Sequence, residues 1–239
     1  MLFKTLTVTP FEQNARIVVE QSSMRALVVD PGGDCDRIID ELADLHVVVE
    51  AVFLTHSHID HCGGVRQLYR DFERLGWGRP PLLAHAAERE MRATITQQAL
   101  LFGLSPQQFE NVDEPDRYVD HGDIIQLGAA SGKVLFTPGH SPGHVALFFE
   151  TVSGAIFDCG GKEIAIESTP VLLGGDAVFA GAIGRTDLPG GDYRVLLASI
   201  RDQILTLPDN TIILPGHGPS TTVSVERGTN PFFRDIHLA

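Results

Sequence analysis

The sequence predicts an α/β (α+β) chain in which strands lead and helices come between them. Three observations carry this. Short apolar runs of strand length dominate the first third, helical periodicity enters between later ones, and Pro, Gly, Asn and Asp mark the joints. The 239 residues fit a single sandwich or barrel, and 43% apolar against 21% charged residues can fill a sizeable core. No internal repeat and no low-complexity linker divides the chain, so one domain over residues 1–239 is expected.

In order, Leu2 to Val8 alternates like a strand and stops before Pro10. Ala15 to Glu20 and Arg25 to Asp30 read as strands joined by the polar turn Gln21-Ser22-Ser23, and Asp30-Pro31-Gly32-Gly33 closes the second. Asp34 or Asp36 is placed to cap a helix to about Leu45, with Ile38, Ile39 and Leu42 on one face. The strand Val47 to Leu54 delivers a His-rich loop, and Val65 to Leu75 is a helix whose N-terminus faces that loop. Leu82 to His85 is a short strand, Ala86 to about Gly103 is helical by propensity, and Ser105 to Arg117 is loop. Strands Ile124 to Leu127, Lys133 to Thr137 and Val145 to Glu150 follow. Ser153 to Thr169 reads as irregular with a small hairpin, and Val171 to Leu173 as a buried strand. Asp192 caps a helix to about Leu205, and Pro208-Asp209-Asn210 turns into the strand Thr211 to Leu214.

The stretch Thr55-His56-Ser57-His58-Ile59-Asp60-His61-Cys62-Gly63-Gly64 places three imidazoles and a carboxylate just beyond a buried strand. Such groups suit zinc, iron or manganese, and no cysteine pair competes with them. The same arrangement recurs: His140 after Pro138-Gly139, Asp176 after Gly174-Gly175, and His217 after Pro215-Gly216 each end an apolar run on a glycine turn. Glycine there lets the backbone bend sharply beside an ion. One such residue is weak evidence; four recurrences point to a metal centre.

The net charge of −13 would stay negative after two divalent ions offset about four charges. That argues against nucleic acid or an anionic membrane as the main partner. Cys35, Cys62 and Cys159 form an odd, scattered set, which fits a reducing, cytoplasmic location. Met1 to Thr9 reads as a strand, not a leader, and no apolar run reaches membrane-spanning length.

The motif His-x-His-x-Asp-His at 56–61, followed by Gly139-His140, Gly175-Asp176 and Gly216-His217-Gly218, resembles the metallo-β-lactamase superfamily along nearly the whole chain. The resemblance implies a four-layer αββα sandwich with the metals at one edge of the two sheets. It implies that His56, His58 and His140 hold one ion, that Asp60, His61 and His217 hold a second, and that Asp176 bridges them. Asp176 sets the chain apart from the commonest class of true β-lactamases, which lack that carboxylate. The loop Gly184-Arg185-Thr186-Asp187-Leu188-Pro189-Gly190-Gly191-Asp192 looks like that of the short glyoxalase II-like group. Glu226-Arg227-Gly228-Thr229-Asn230-Pro231-Phe232 resembles a tail shared by glyoxalase II and the persulfide dioxygenases. Eight residues follow Pro231, so the helical glutathione-binding domain of longer members is not expected.

By that resemblance the expected activity is hydrolysis of a small thioester, S-2-hydroxyacylglutathione such as S-lactoylglutathione, by a metal-bridging hydroxide with Asp60 and Asp176 as catalytic carboxylates. Zinc is the first choice of metal, with iron or manganese as alternatives. A thiolate leaves without a strong general acid, since thiols ionise near pH 8.5. A persulfide dioxygenase using one iron, held by two histidines and an aspartate, would keep the same seven residues; a lactonase or nuclease of the superfamily is a further alternative. A non-catalytic metal-binding protein is disfavoured because no ligand is missing. Arg185 is the candidate to bind a substrate carboxylate with its planar fork, against a simple internal pair with Asp187. His144 reads as structural or as a support for the ligands, His121 as a turn, His46, His85 and His237 as ordinary positions, and Cys62 as packing.

Overall fold

The computed structural model describes residues 1–158 and 160–234, so Cys159 and His237 lie outside the described residues. The first half runs β1 (Leu2–Val8), β2 (Gln13–Glu20), β3 (Arg25–Val29), α1 (Cys35–Asp44), β4 (Val48–Phe53), α2 (Ile59–Cys62), α3 (Val65–Leu75), β5 (Leu82–Ala84), α4 (Arg89–Arg92), α5 (Ile95–Leu101) and β6 (Arg117–Tyr118). The second runs β7 (Ile124–Leu127), β8 (Ala130–Phe136), β9 (Val145–Phe157), β10 (Glu163–Gly175), β11 (Val178–Phe179), β12 (Ala182–Ile183), α6 (Tyr193–Ser199), β13 (Ile212–Pro215), β14 (Thr221–Thr222) and α7 (Val223–Thr229). Strands β1 to β3 pair antiparallel, and β3 to β6 continue in parallel. In the second half β7, β8, β9 and β10 pair antiparallel, and β13 lies parallel to β10 with β14 beyond it. Among the described strands, the ladder joining the two halves pairs β1 with β9 in parallel, over Leu2↔Ala155 to Lys4↔Phe157, and an isolated bridge links Gln13 to His217.

Side-chain alternation turns these halves into layers. Val18, Leu27, Val29, Ala51 and Phe53 face Val145, Leu147, Phe149, Val171 and Leu173 in a core between the two sheets. Their neighbours Ile17, Val19, Ala26, Val28, Val52 and Leu54 face the other way, onto Ile38 and Leu42 of α1, Leu68 and Phe72 of α3 and Ala99 of α5. On the far side Leu135, Ala146, Leu172 and Ile213 pack on Leu196, Ile200, Ile204 and Val223. The result is helices, sheet, sheet, helices: the αββα sandwich. Central strands covered on both faces explain why the sequence shows continuous apolar runs there. Each such fully buried aliphatic or aromatic side chain contributes about 1.5–3 kcal/mol. Among the described residues no helix is long and apolar enough to cross a membrane.

Four local expectations need correction. The helix expected over Ala86 to Gly103 is three pieces: a 3-10 turn at Ala86–Glu88, then α4, then α5. Thr94 interrupts it, donating its hydroxyl to the carbonyls of Glu90 and Met91. The hairpin expected within Ser153 to Thr169 is present, but as the end of the long β9–β10 pair and not a small extra one, and register shifts on either side of Thr169 break its alternation. Asp34 stands at the head of α1 with φ 48°, but its carboxylate accepts the N–H of Thr9, 2.9 Å away, instead of capping the helix. The His-rich loop contains a one-turn helix, α2. By contrast Asp192 caps α6 as expected, accepting from the N–H groups of Arg194 and Val195. The helix then continues as a π turn at Ile200–Ile204.

Candidate metal centre

The site is assembled from the turns that follow β4, β8, β10 and β13. After β4 the Thr55 N–H and hydroxyl both donate to Asp30, at 2.7 and 2.6 Å, which fixes the chain at the entry to His56. His58 stands at the head of α2 and keeps extended geometry, while Asp60 and His61 lie within that single turn. Gly175 has φ +50°, and a Cβ on it would stand 2.5 Å from His144 Nε2. Gly216 is tighter still: its Cβ would fall 2.1 Å from Asp176 Oδ1. Only glycine lets the turn after β13 pass that close to the carboxylate. The opposite sheet grips the same turn, with Asn14 Nδ2 donating to the carbonyls of Pro215 and Gly218 and Arg16 to that of Pro215.

All seven residues expected at the centre come together. His140 Nε2 lies 2.9 Å from His58 Nδ1 and 3.2 Å from His56 Nε2. Asp60 Oδ2 lies 3.2 Å from His217 Nε2 and 3.9 Å from His61 Nε2. Asp176 stands between the groups, Oδ1 3.3 Å from His61 Nε2, and Oδ2 3.5 Å from His217 Nε2 and 3.6 Å from His140 Nε2.

The remaining ring nitrogens fix tautomers. His56 Nδ1 donates to Thr55 Oγ1, His61 Nδ1 to Asp30 Oδ2 at 2.9 Å, His140 Nδ1 to the Arg185 carbonyl at 2.8 Å, and His217 Nδ1 to the Phe11 carbonyl at 3.1 Å. In each case Nε2 is left to face the centre. His144 takes the supporting role: it donates from Nδ1 to Thr137 Oγ1 and accepts the Asp176 N–H at 2.9 Å.

Electrostatics divide the cluster. Burial and the neighbouring imidazoles hold His56 well below the usual histidine range. Burial and His140 push His58 down to about 3. Both are therefore neutral, the form that ligates a metal. Burial opposes charge on His61 as well, but Asp176 and Asp60 beside it prevail and raise it. Burial likewise disfavours the carboxylate charge of Asp60 and Asp176, and the imidazoles, His61 foremost, overcome this and lower both.

These residues fit a divalent metal. His56 and His140, each donating from Nδ1, present their Nε2 lone pairs to each other at 3.2 Å, and His58 Nδ1 stands 2.9 Å from His140 Nε2. Among the described residues, buried His61 Nε2 and Asp176 Oδ1 have no hydrogen-bond partner. Nitrogen and oxygen donors so gathered suit zinc, iron or manganese. Asp30 also comes close to His56 and His61, but both its oxygens are occupied by Thr55 and His61.

Two supports were not evident in the sequence. Asp30 read only as the end of a strand, although it is an acid on a Pro-Gly turn like the others. Glu88 is 1% exposed, and its two oxygens accept the N–H groups of Ser57 and Gly143, both at 2.7 Å. It thereby ties the loop of His56 and His58 to the loop of His140. A lone Glu at that position carries no signal of this.

A cleft of about 610 Å³ opens above the centre. Its floor includes His58, Asp60, His140, Asp176 and His217; its walls include Phe11, Met91, Leu101, Phe102, Phe179, Ile183, Leu188 and Pro189. Arg185 also lines it, with its side chain 56% exposed and its guanidinium held by Asp187 through two bonds of 2.7 and 2.8 Å. The 226–232 tail has a structural task beside it. Glu226 accepts from the Gly181 N–H, the Thr221 hydroxyl and Asn230 Nδ2, and Asn230 Nδ2 also donates to the Ala182 carbonyl. Both residues thus hold the β11–β12 hairpin. Cys62 is buried in the helix-side core, His85 stacks on Phe136, and His46 and His121 are at the surface.

Comparison with known proteins agrees with this geometry. Residues 8–156 match the family described as the metallo-beta-lactamase superfamily. Hydroxyacylglutathione hydrolase GloC of Haemophilus influenzae is 34% identical, over 97% of this chain and 98% of its own length. The crystal structure of BLEG-1 B3 metallo-beta-lactamase is 33% identical with a TM-score of 0.79, covering 97% of this chain and 99% of that one. That of TTHA1623 in a di-iron-bound form is 30% identical with a TM-score of 0.74, covering 95% and 98%. With the motif, the layers and the matched sequence in agreement, the chain belongs to the metallo-beta-lactamase superfamily.

Proposed function

We propose that the chain is a thioester hydrolase working at two divalent ions, with S-2-hydroxyacylglutathione as its substrate class. The observation that carries this is Asp176, whose carboxylate lies within 3.6 Å of imidazole nitrogens from both histidine groups: His140 of the first, His61 and His217 of the second. His56, His58 and His140 would hold one ion, Asp60, His61 and His217 the other, and Asp176 both. Zinc suits this donor set, as do iron and manganese. Bound there, such ions supply an activated water and a Lewis acid for the carbonyl oxygen. The chain's own part is orientation: Asp30, Thr55, the Phe11 and Arg185 carbonyls and His144 aim the ligands, and the apolar walls exclude water. The similarity to GloC supports the substrate class, and that to the di-iron form of TTHA1623 supports two ions.

The metal-loaded protein is expected to release glutathione from S-lactoylglutathione without consuming oxygen, followed with a thiol reagent beside an oxygen electrode. Oxygen uptake on glutathione persulfide with one iron per chain would replace this reading with a dioxygenase. Turnover of a β-lactam in place of the thioester would replace it with a lactamase.

Arg185 would meet a glutathione carboxylate. Because its fork is already shared with Asp187 and half in solvent, Arg185→Ala is expected to cost about 1 kcal/mol, roughly fivefold, as for other exposed ion pairs. The loss should appear in KM and leave kcat nearly constant, since the tail is held alike in ground and transition states. An equal loss with a small neutral thioester would show that Arg185 only stiffens its loop.

A further inference from the structure

The cleft is chemically two-ended. On the His140 side stands Arg185, whose own carbonyl holds that histidine. On the His217 side stand aromatic rings. Phe11 is tied there through its carbonyl to His217 Nδ1, and its ring meets Phe102 edge-on at 5.2 Å. The ring of Phe179 meets the His217 imidazole edge-on, 6.0 Å away at 83°. All three rings line the cleft, yet Phe102 remains 44% exposed and Leu101 beside it 83% exposed. Apolar surface left open at the mouth of a site is surface that a ligand can cover.

We infer that the His217 end of the cleft, between Phe11, Phe102 and Phe179, is a subsite for a bulky aromatic acyl group of the substrate. The inference rests on the thioesterase reading. A glutathione thioester has one strongly charged half, the thiol, and one half whose charge and bulk vary, the acyl group. The charged half belongs with Arg185, the cation that lines the cleft. The acyl half is then directed to the opposite end, where the carboxylates that line the cleft, Asp60 and Asp176, are turned to the imidazoles. Aromatic rings already in edge-on pairs present faces and edges to a further ring at centroid distances of about 4.5–7 Å.

The tail motif supports this. Phe179 sits on the short β11–β12 hairpin, which has two residue pairs of its own and would be loose alone. Glu226 and Asn230 bond its backbone at Gly181 and Ala182. The buried Glu226 and Asn230 thus set where the Phe179 ring stands, which gives the 226–232 stretch a role in selecting substrate.

The test compares S-mandeloylglutathione, with a phenyl on its 2-hydroxyacyl group, with S-lactoylglutathione, with a methyl, so the thiol half is constant. The metal-loaded protein should favour the mandeloyl ester by roughly tenfold or more in kcat/KM, the discrimination expected of a fitted apolar pocket. Phe179→Ala and Phe102→Ala should each bring the ratio toward one. Asn230→Ala should lower it too, with both rings still present. A wild-type ratio at or below one overturns the subsite, and so does an equal loss on both esters in the phenylalanine variants. If neither ester is cleaved, the thioesterase reading fails on its own. The subsite is then read by calorimetry: mandelate should bind the metal-loaded protein at least about tenfold tighter than lactate, and Phe102→Ala should remove the difference. Equal affinities overturn it.

Discussion

Asp176→Ala is expected to reduce bound divalent metal well below the wild-type content and to lower thioester hydrolysis by more than about a hundredfold, beyond what the loss of an outer support costs. The reason is position. Asp176 is the carboxylate within 3.6 Å of imidazole nitrogens from both groups, and without it the ions would lose both a shared donor and a negative charge between them. Asp176→Asn, which keeps the shape and removes the charge, separates the two contributions. Metal content by mass spectrometry, with affinity from competition against a chelator, measures the effect. Full metal content and full activity in Asp176→Ala would show that it does not bridge.

Glu88→Ala should be nearly as damaging although Glu88 touches no proposed ligand side chain. Removing it leaves the buried N–H groups of Ser57 and Gly143 without acceptors. An unsatisfied buried donor costs about 1–3 kcal/mol. A total near 3 kcal/mol would lower the melting temperature by roughly 6–12 °C in a chain of this size. The loops of His58 and His140 would also drift apart, so metal affinity should fall by about 10- to 100-fold, as when other supports of ligands are lost. Glu88→Gln gives back one acceptor and should recover part of both losses. A normal metal affinity in Glu88→Ala, at whatever melting temperature, would limit Glu88 to packing.

Whether a site residue was legible depended on how local its signal is. His56, His58, Asp60 and His61 declare themselves within six positions. His140, Asp176 and His217 could be found because each ends a strand on a glycine turn, and Gly175 and Gly216 prove to be sterically required there. Asp30 and Glu88 escaped because their partners are tertiary: His61 is 31 positions from Asp30 and Gly143 is 55 from Glu88. Phe11, Phe102 and Phe179 come from three unrelated segments, and no spacing relates them. Among the elements, periodicity located the longer strands but not the two-residue β6, β11, β12 and β14, nor the full length of β9 and β10, whose bulges break the alternation, nor the break at Thr94, which a hydroxyl makes.

The short ladder between the halves, three residue pairs at β1 and β9, leaves the inter-sheet core to join them, and that bears on the order of assembly. On the proposed ligand set, four of the seven donors precede Cys62, and the other three follow Thr137. A ribosome releases the first four long before the rest, and an early fragment would present an incomplete cluster able to take up the wrong ion loosely. Neither group closes until the second sheet docks: the first waits for His140, the second for His217 after β13. On that ligand set tight loading would follow docking of the two halves and would then hold them together, because an ion that binds only the finished fold stabilises it by mass action.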